Sequence, residues 1–251
     1  MELLKGKIAV ITGGNSGIGY ATAADFLAKG ARVLITGRKP EAVEQAVKSL
    51  GNNVDSFIAD QGKISDSAKL AAYVRDRYGK VDILFVNAGI GSFAPVGLIT
   101  EQAFDDVMNI NLKGAFFTVQ HLLPYVNEGG AIILLSSVNA FAGMPGTAVY
   151  SASKAGLNSL GRTLSRELAA KKIRVNIVNP GPVETPILEK SGIAKEEINF
   201  DLIGEKVPTG RIGQPAEVAK LVSFLASDDA SFITGAEYNV DGGIGVHPLI
   251  A

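Results

Sequence analysis

The chain is poor in the residue types that several kinds of functional site require. It contains no cysteine, which excludes disulfides, thiolate catalysis and cysteine-bound metal. Only two histidines occur, His121 and His247, so no metal site is expected. The 24 basic and 25 acidic residues nearly cancel, and they form neither a basic stripe nor an acidic tail. The composition therefore gives no sign of a nucleic-acid partner.

Long hydrophobic runs are missing as well. No apolar run reaches the roughly 18 residues that a membrane-spanning helix needs. The opening residues 1–7 also lack the apolar core of a signal peptide. We therefore expect a cytoplasmic protein without a membrane partner. A length of 251 residues suits one large domain with a substantial core.

Strand and helix signals alternate along the whole chain. Short apolar runs that end in small residues are typical of strands buried on both faces of a parallel sheet. Such runs occur at residues 7–12, 32–36, 54–59, 81–86, 131–135, 173–178 and 237–240. Helices are predicted up to about residue 29, from residue 40, and at residues 65–78, 100–125, 150–170 and 215–226. The pattern predicts an α/β fold, a single Rossmann-type domain over residues 1–251 with a doubly wound parallel sheet of about seven strands and helices on both faces.

A glycine-rich turn follows the first predicted strand. It reads Gly13-Gly14-Asn15-Ser16-Gly17-Ile18-Gly19 and leads into a helix. A strand, a glycine turn and a helix in this order direct backbone N–H groups and a helix dipole at a bound pyrophosphate. The spacing Gly-x-x-x-Gly-x-Gly departs from the general dinucleotide fingerprint, Gly-x-Gly-x-x-Gly. A turn that binds no ligand is the alternative.

The end of the second strand bears on the choice of cofactor. An acidic residue here would hydrogen-bond the adenosine ribose, whereas an arginine accommodates a 2′-phosphate. The acid is missing, and Gly37 is followed by Arg38 and Lys39. The sequence therefore favours NADP over NAD, although two solvated basic residues in a turn are the alternative.

Other polar or small residues follow later strands or interrupt a helix. Asp60, after the third strand, is a candidate adenine ligand or a surface turn residue. Asn87-Ala88-Gly89, after the fourth, would let the backbone approach a cofactor, with an ordinary strand-ending turn as the alternative. Asn111 lies inside a predicted helix, which asparagine disfavours, so it marks a local irregularity facing the site or a solvated face.

Tyr150 and Lys154 form the candidate catalytic pair. They are four residues apart in a predicted helix and share one face. An ammonium beside a phenol lowers the pKa of the phenol from about 10 towards neutrality. Ser137, which follows the fifth strand, can hydrogen-bond a carbonyl or a hydroxyl. With a hydride carrier, these groups would interconvert an alcohol and a ketone; alone, an exposed helical pair is the alternative.

The alternation loosens at residues 183–211, which we interpret as a segment that covers the substrate. Its apolar residues are Ile187, Leu188, Ile193, Ile198, Phe200, Leu202 and Ile203. Core packing or a subunit contact would explain the same residues. Phe93, Phe141 and Met144 are further candidates for an apolar pocket, with core packing again as the alternative.

Taken together, the motifs resemble those of the short-chain dehydrogenase/reductase family over nearly the whole chain. The matching pieces are Thr12-Gly13-x-x-x-Gly17-x-Gly19, Asn87-Ala88-Gly89, Asn111, Ser137, Tyr150-x-x-x-Lys154 and Pro180-Gly181, in the family's order and spacing. The chain looks most like NADP-dependent bacterial secondary alcohol dehydrogenases. The resemblance implies hydride transfer between NADP(H) and an apolar or bulky ketone or alcohol, carried out by a homotetramer.

The resemblance also implies roles for individual residues. Tyr150 would be the general acid/base and Lys154 its electrostatic partner, which also holds the nicotinamide ribose. Ser137 would orient the carbonyl, and Asn111 would position a water linked to Lys154. Cofactor binding is expected from Gly13, Asn15, Ser16, Gly17, Ile18, Gly19, Gly37, Arg38, Lys39, Asp60, Asn87, Ala88, Gly89, Tyr150, Lys154, Pro180, Gly181, Val183 and Thr185. Substrate contacts are expected from Ser137, Asn139, Phe141, Met144, Tyr150 and Leu188.

The chain departs from the family pattern at one position, and two other functions are alternatives. Many NADP-preferring relatives carry a basic residue where this chain has Ser16, which leaves the 2′-phosphate to Arg38. A reductase of 3-oxoacyl groups on acyl-carrier protein would share the fold and site, but it would need basic surface near the entrance. Lys171 and Lys172 are the residues that offer it. A cofactor-sensing protein without catalysis is the alternative from another class.

Overall fold

The computed structural model describes residues 2–191, 194 and 198–245, so Ile193 and His247 lie outside the described residues. Within them the sheet has seven strands, all paired in parallel. They are β1 Ile8–Ile11, β2 Arg32–Gly37, β3 Val54–Ile58, β4 Val81–Val86, β5 Val126–Leu135, β6 Arg174–Pro180 and β7 Glu237–Val240. The predicted doubly wound sheet is confirmed by the order β3-β2-β1-β4-β5-β6-β7. The order reverses between β1 and β4, where such sheets bind ligands beyond the carboxyl ends of their strands.

Helices cover both faces of the sheet. They are α1 Gly17–Ala28, α2 Pro40–Leu50, α3 Ile64–Tyr78, α4 Glu101–Met108, α5 Ala115–Leu122, α6 Ala148–Glu167, α7 Ile187–Lys190, α8 Phe200–Glu205 and α9 Pro215–Ala226. Single 3₁₀ turns occur at Val96–Leu98, Leu123–Tyr125, Val138–Ala140, Ala169–Lys171 and Asp228–Ala230. None of the helices in the described residues is long and apolar enough to cross a membrane.

The core consists of two apolar layers, one on each side of the sheet. Successive strand residues point to opposite faces, so Ile11 packs with Phe26 of α1 and Val222 of α9. Its neighbour Val10 belongs to the other layer, which includes Leu157 of α6. Strands covered on both faces explain the continuous apolar runs in the sequence.

Two elements differ from their predicted form. The predicted helix at residues 100–125 is interrupted by a π-helical turn at Asn109–Gly114. Gly114, the last residue of this turn, lies against a distant segment: a Cβ there would be 2.1 Å from the backbone oxygen of Gln61, so the position has no room for a side chain. Strand β5 begins at Val126 rather than at residue 131, because Val126 pairs with Val81 before a register shift.

Candidate active site

The candidate catalytic residues meet where β5 ends and α6 begins. Tyr150 and Lys154 lie one turn apart on α6 and are 8 % and 4 % exposed. The Lys154 ammonium donates a hydrogen bond to the backbone oxygen of Leu135 at 2.8 Å and lies 5.7 Å from the centre of the Tyr150 ring. The lysine therefore ties the active-site helix to the carboxyl end of β5.

Burial governs the protonation of this pair. It raises the pKa of the Tyr150 phenol, and the Ser137 hydroxyl opposes the shift. The sequence-based expectation of a lowered phenol pKa is therefore wrong for this structure, since helical spacing does not reveal how deeply a side chain is buried. Burial also lowers the pKa of Lys154 to about 8. Tyr150 is thus protonated at neutral pH, while Lys154 can exchange a proton near neutrality.

Ser137 is held in place by its neighbour. Its hydroxyl accepts a hydrogen bond from the backbone N–H of Asn139 and donates one to the Asn139 side-chain oxygen, both at 3.2 Å. The Phe93 ring packs against the Tyr150 ring with centroids 5.8 Å apart. The hydroxyl and the phenol therefore face the same space with little freedom to turn away.

Asn111 is buried and connects three parts of the site. Its side-chain oxygen accepts a hydrogen bond from the backbone N–H of Ile90, and its amide donates to the Ile90 oxygen, both at 2.9 Å. The amide also donates to Ser153 of α6 at 3.1 Å. Both amide hydrogens are thus used, and the side chain is buried in the π-helical turn, which contradicts a solvated helix face. Asn111 lines neither of the two cavities described below, so its role in positioning a water stays a prediction.

One apolar cavity of about 280 Å³ opens over the catalytic pair. Its walls include Ser137, Tyr150 and Lys154 on one side. Other wall residues come from the end of β6, from residues 183–211 and from the residue that follows them, namely Pro180, Gly181, Val183, Thr185, Ile187, Leu188, Phe200, Ile203 and Ile212. The arrangement presents a hydroxyl, a phenol and an amine to a space otherwise walled mainly by hydrocarbon.

A second cavity, of about 460 Å³, adjoins the first along the carboxyl ends of β1, β2 and β4. The residues from the glycine turn and β2 in its wall are Gly13, Asn15, Ser16, Gly17, Ile18, Gly37, Arg38 and Lys39. Asp60, Gln61, Asn87, Ala88, Gly89 and Lys190 complete the polar part of the wall. The two cavities share Ile18, Asn87, Gly89, Leu135, Thr185 and Ile187, so a ligand can extend from one into the other.

The glycine turn is fixed to β4 by hydrogen bonds. Asn87 donates from its side chain to the backbone oxygens of Thr12 and Gly13, at 2.8 and 3.1 Å. Gly13 has φ +65°, and a Cβ there would lie 3.0 Å from Asn87 and Ala88 atoms. Gly19 lies beneath the turn, where a Cβ would approach the Gly13 oxygen and the Asn87 amide nitrogen. The glycines thus allow a close turn whose backbone borders the cavity.

Some predicted residues lie apart from these walls. In the described part of the chain, Asn139, Phe141 and Met144 do not line either cavity. Asn139 instead contacts Ser137, and Phe141 is half exposed beside Gly245. Direct substrate contacts by these three residues stay a prediction.

Three residues at the site were not predicted from the sequence. Ser153 links Asn111 to the Tyr150 backbone oxygen, Gln61 donates to the Ala88 backbone oxygen, and Lys190 contacts Ser16. Only the position of Gln61, next to Asp60, gave any signal in the sequence. The contacts of Ser153 and Lys190 depend on how distant segments fold together.

Known proteins share this architecture over nearly their full length. A family profile described as enoyl-(acyl carrier protein) reductase matches residues 13–245. The 3-oxoacyl-(acyl-carrier-protein) reductase FabG of Thermotoga maritima is 38 % identical, covering 96 % of this chain and 98 % of the relative. The NADP-dependent (R)-specific alcohol dehydrogenase of Lentilactobacillus kefiri is 36 % identical over the same shares. The chain belongs to the short-chain dehydrogenase/reductase family.

A solved structure with the same fold supports the assignment. Levodione reductase superposes with a TM-score of 0.92 at 30 % identity, covering 98 % of this chain and 100 % of that one. The protein is therefore an oxidoreductase of a family that uses nicotinamide cofactors, as the sequence motifs predicted. The glycine turn, the start of α1 and the basic residues after β2 are chemically suited to a dinucleotide, because they offer backbone N–H groups and positive charge to phosphates.

Proposed function

We propose that this oxidoreductase transfers a hydride between NADP(H) and an apolar ketone or secondary alcohol. The observation that carries the proposal is the position of buried Tyr150, Lys154 and Ser137 in a small apolar cavity that opens into a larger cavity with basic residues. A phenol and a hydroxyl directed at one space can hydrogen-bond a carbonyl oxygen from two sides.

Reduction requires a proton at the carbonyl oxygen and a hydride at the carbonyl carbon. Bound NADPH would supply the hydride. Tyr150 donates its proton to the oxygen as charge develops there, since its raised pKa keeps the phenol protonated at neutral pH. Ser137 donates a hydrogen bond to the same oxygen. Lys154, with a pKa of about 8, stabilises the phenolate and helps return a proton to it. Oxidation of the alcohol reverses these steps.

The cofactor would be held by the residues of the larger cavity. The turn at Gly13 and Gly17 and the start of α1 would receive the pyrophosphate. Arg38 and Lys39 would receive an adenosine 2′-phosphate, and Asp60 the adenine. The Lentilactobacillus kefiri relative is NADP-dependent by its name, which supports this choice.

The cavity walls favour a free ketone over a substrate carried by a protein. Ile187, Leu188, Phe200 and Ile203 form an apolar cover suited to an aromatic or aliphatic group. Lys171 and Lys172 precede β6 and so lie at the amino ends of the strands, whereas the site lies at the carboxyl ends. Lys172 also forms a salt bridge with Glu128 at 2.8 Å. These lysines are therefore poorly placed to dock an acidic carrier near the entrance.

The comparison of two substrates tests this choice. With NADPH, we expect a higher kcat/KM for an aryl ketone than for a 3-oxoacyl group on acyl-carrier protein. A much higher value for the carrier substrate would replace the proposal with the function of the Thermotoga maritima relative. Binding of NADPH without turnover of any carbonyl compound would instead support the non-catalytic alternative.

We also propose that the protein acts as a homotetramer in the cytoplasm. Large apolar side chains are exposed at Phe104 and Phe116 of α4 and α5, and at Phe224 and Phe232 in and after α9. Exposed phenylalanines at two places in the fold suit two kinds of subunit contact. Sedimentation equilibrium would then give four times the chain mass of 26.2 kDa, whereas a monomer mass would contradict the proposal.

A further inference from the structure

Lys190 brings a positive charge from the substrate-covering segment into the cofactor cavity. It is the last residue of α7, and its ammonium donates a hydrogen bond to the Ser16 hydroxyl at 2.7 Å. Ser16 directly precedes Gly17 in the glycine turn, 174 residues earlier in the chain. Lys190 thus reaches the position at which the sequence lacks a basic side chain.

The cations of this cavity face one another. Lys190, Arg38 and Lys39 all line the wall that also contains Ser16. The pKa of Lys190 is lowered, first by desolvation and then by the charges of Arg38 and Lys39, with Glu189 acting in the opposite direction. Like charges held together are stabilised by a multivalent anion between them.

The carboxylate in the same wall is already engaged. Asp60 accepts a hydrogen bond from the backbone N–H of Gly62 at 3.0 Å, which holds it in its own turn. Arg38 and Lys39 follow β2, where a dinucleotide fold places the adenosine ribose. An anion shared by Lys190, Arg38 and Ser16 would therefore be a phosphate on that ribose rather than the pyrophosphate at the helix start.

The same short helix also covers the substrate. Ile187, at the start of α7, lines both cavities, and Leu188 lines the smaller one. The helix is only four residues long, and the backbone hydrogen bonds at its carboxyl end run from Lys190 to Pro186 and from Ser191 to Ile187 and Leu188. Contacts of its side chains with the rest of the molecule therefore contribute to its position.

We propose that Lys190 binds the adenosine 2′-phosphate and thereby fixes α7 over the substrate cavity. The inference rests on the proposed use of NADP(H). It adds a selectivity residue at the end of α7 and couples cofactor choice to the position of α7. NADPH, but not NADH, would then hold the apolar cover in place.

Calorimetry with 2′,5′-ADP and 5′-AMP, which differ only by the 2′-phosphate, tests the first part without catalysis. We expect Lys190→Gln to weaken 2′,5′-ADP binding roughly tenfold, the effect of one charge-assisted hydrogen bond, and 5′-AMP binding less than twofold. Lys190→Arg should retain most of the affinity. Lys220→Gln, the same charge change on the exposed side of α9, is the matched control and should bind both ligands normally.

The outcomes separate this inference from the cofactor proposal. A wild-type protein that binds the two nucleotides equally would contradict NADP use and the Lys190 role together. A wild-type preference that Lys190→Gln leaves unchanged would overturn the Lys190 role alone. An equal loss for both nucleotides would also overturn it, because Lys190 would then bind the 5′-phosphate that both nucleotides share.

Hydrogen exchange tests the coupling to the segment. The amides of Lys190 and Ser191 donate hydrogen bonds to the backbone oxygens of Pro186, Ile187 and Leu188, so their exchange reports the stability of α7. We expect 2′,5′-ADP to slow their exchange in the wild type but not in Lys190→Gln, and 5′-AMP to have little effect in either. Equal protection by both nucleotides in the wild type would refute the coupling.

Discussion

The Lys154 amine is buried, and burial of its positive charge lowers the stability of the folded protein. The pKa of its amine falls from 10.5 to about 8 because burial disfavours the charged form. Such a shift corresponds to about 3 kcal/mol, at ~1.4 kcal/mol per pKa unit. The full destabilisation applies below pH 8. It disappears as the pH rises to the pKa that the Lys154 amine has in the unfolded chain, because the unfolded state binds more protons between these two pKa values.

Replacement of Lys154 by methionine should therefore change how stability depends on pH. Relative to Lys154→Met, we expect the unfolding free energy of the wild type to rise by about 3 kcal/mol between pH 8 and pH 10.5. Urea unfolding of both proteins across this range measures the difference. The Leu135 oxygen loses its donor in the variant at every pH, so a constant offset is not diagnostic. A difference that stays constant with pH would contradict the shifted pKa.

Tyr150 should matter for turnover and little for cofactor binding. Tyr150→Phe removes the proton donor but keeps the ring that packs on Phe93. We expect a loss of ~10²–10⁴ in kcat, the usual effect of removing a general acid. The dissociation constant for NADPH, measured by fluorescence titration, should change less than about threefold. Near-normal turnover would refute the assigned role.

At the scale of elements, the substrate-covering segment offers a matched pair of leucines. Leu188 of α7 lines the smaller cavity, whereas Leu202 of α8 is 55 % exposed. Leu188→Ala should raise the KM for an aryl ketone roughly tenfold, because an apolar contact worth about 1.5 kcal/mol is lost. Leu202→Ala should leave that KM unchanged. Steady-state kinetics of both variants give the two KM values. Equal increases would contradict the prediction that Leu188, unlike Leu202, contacts the substrate.

Most elements were predictable because their signals are local. The structure has β4 at Val81–Val86 and α9 at Pro215–Ala226, as predicted, since each is bounded by clear stop or start residues. At α9, Pro215 follows Gln214, whose backbone N–H donates to Glu217 in a capping box. The π-helical turn was not predictable in form, because such turns are rare, and the close contact of Gly114 with the distant Gln61 backbone has no local sequence signal.

At the scale of the whole molecule, some properties of the site could be predicted from the sequence and others could not. Helical spacing predicted that Tyr150 and Lys154 would share a face, and the family motifs indicated which strand ends meet. The raised phenol pKa and the contact of Lys190 with Ser16 depend on burial and on residues 174 positions apart. Both are properties of the packed chain, so no local pattern could reveal them.

The proposed function requires one molecule to combine an NADP site with ketone chemistry. The most direct measurement is the initial rate of reduction of an apolar aryl ketone by the wild type, with NADPH and in parallel with NADH. We predict rapid turnover with NADPH and a much lower kcat/KM with NADH, because Arg38 and its basic neighbours line the cofactor cavity. A preference for NADH would contradict the NADP site, and no rate with either cofactor would contradict the proposed ketone chemistry.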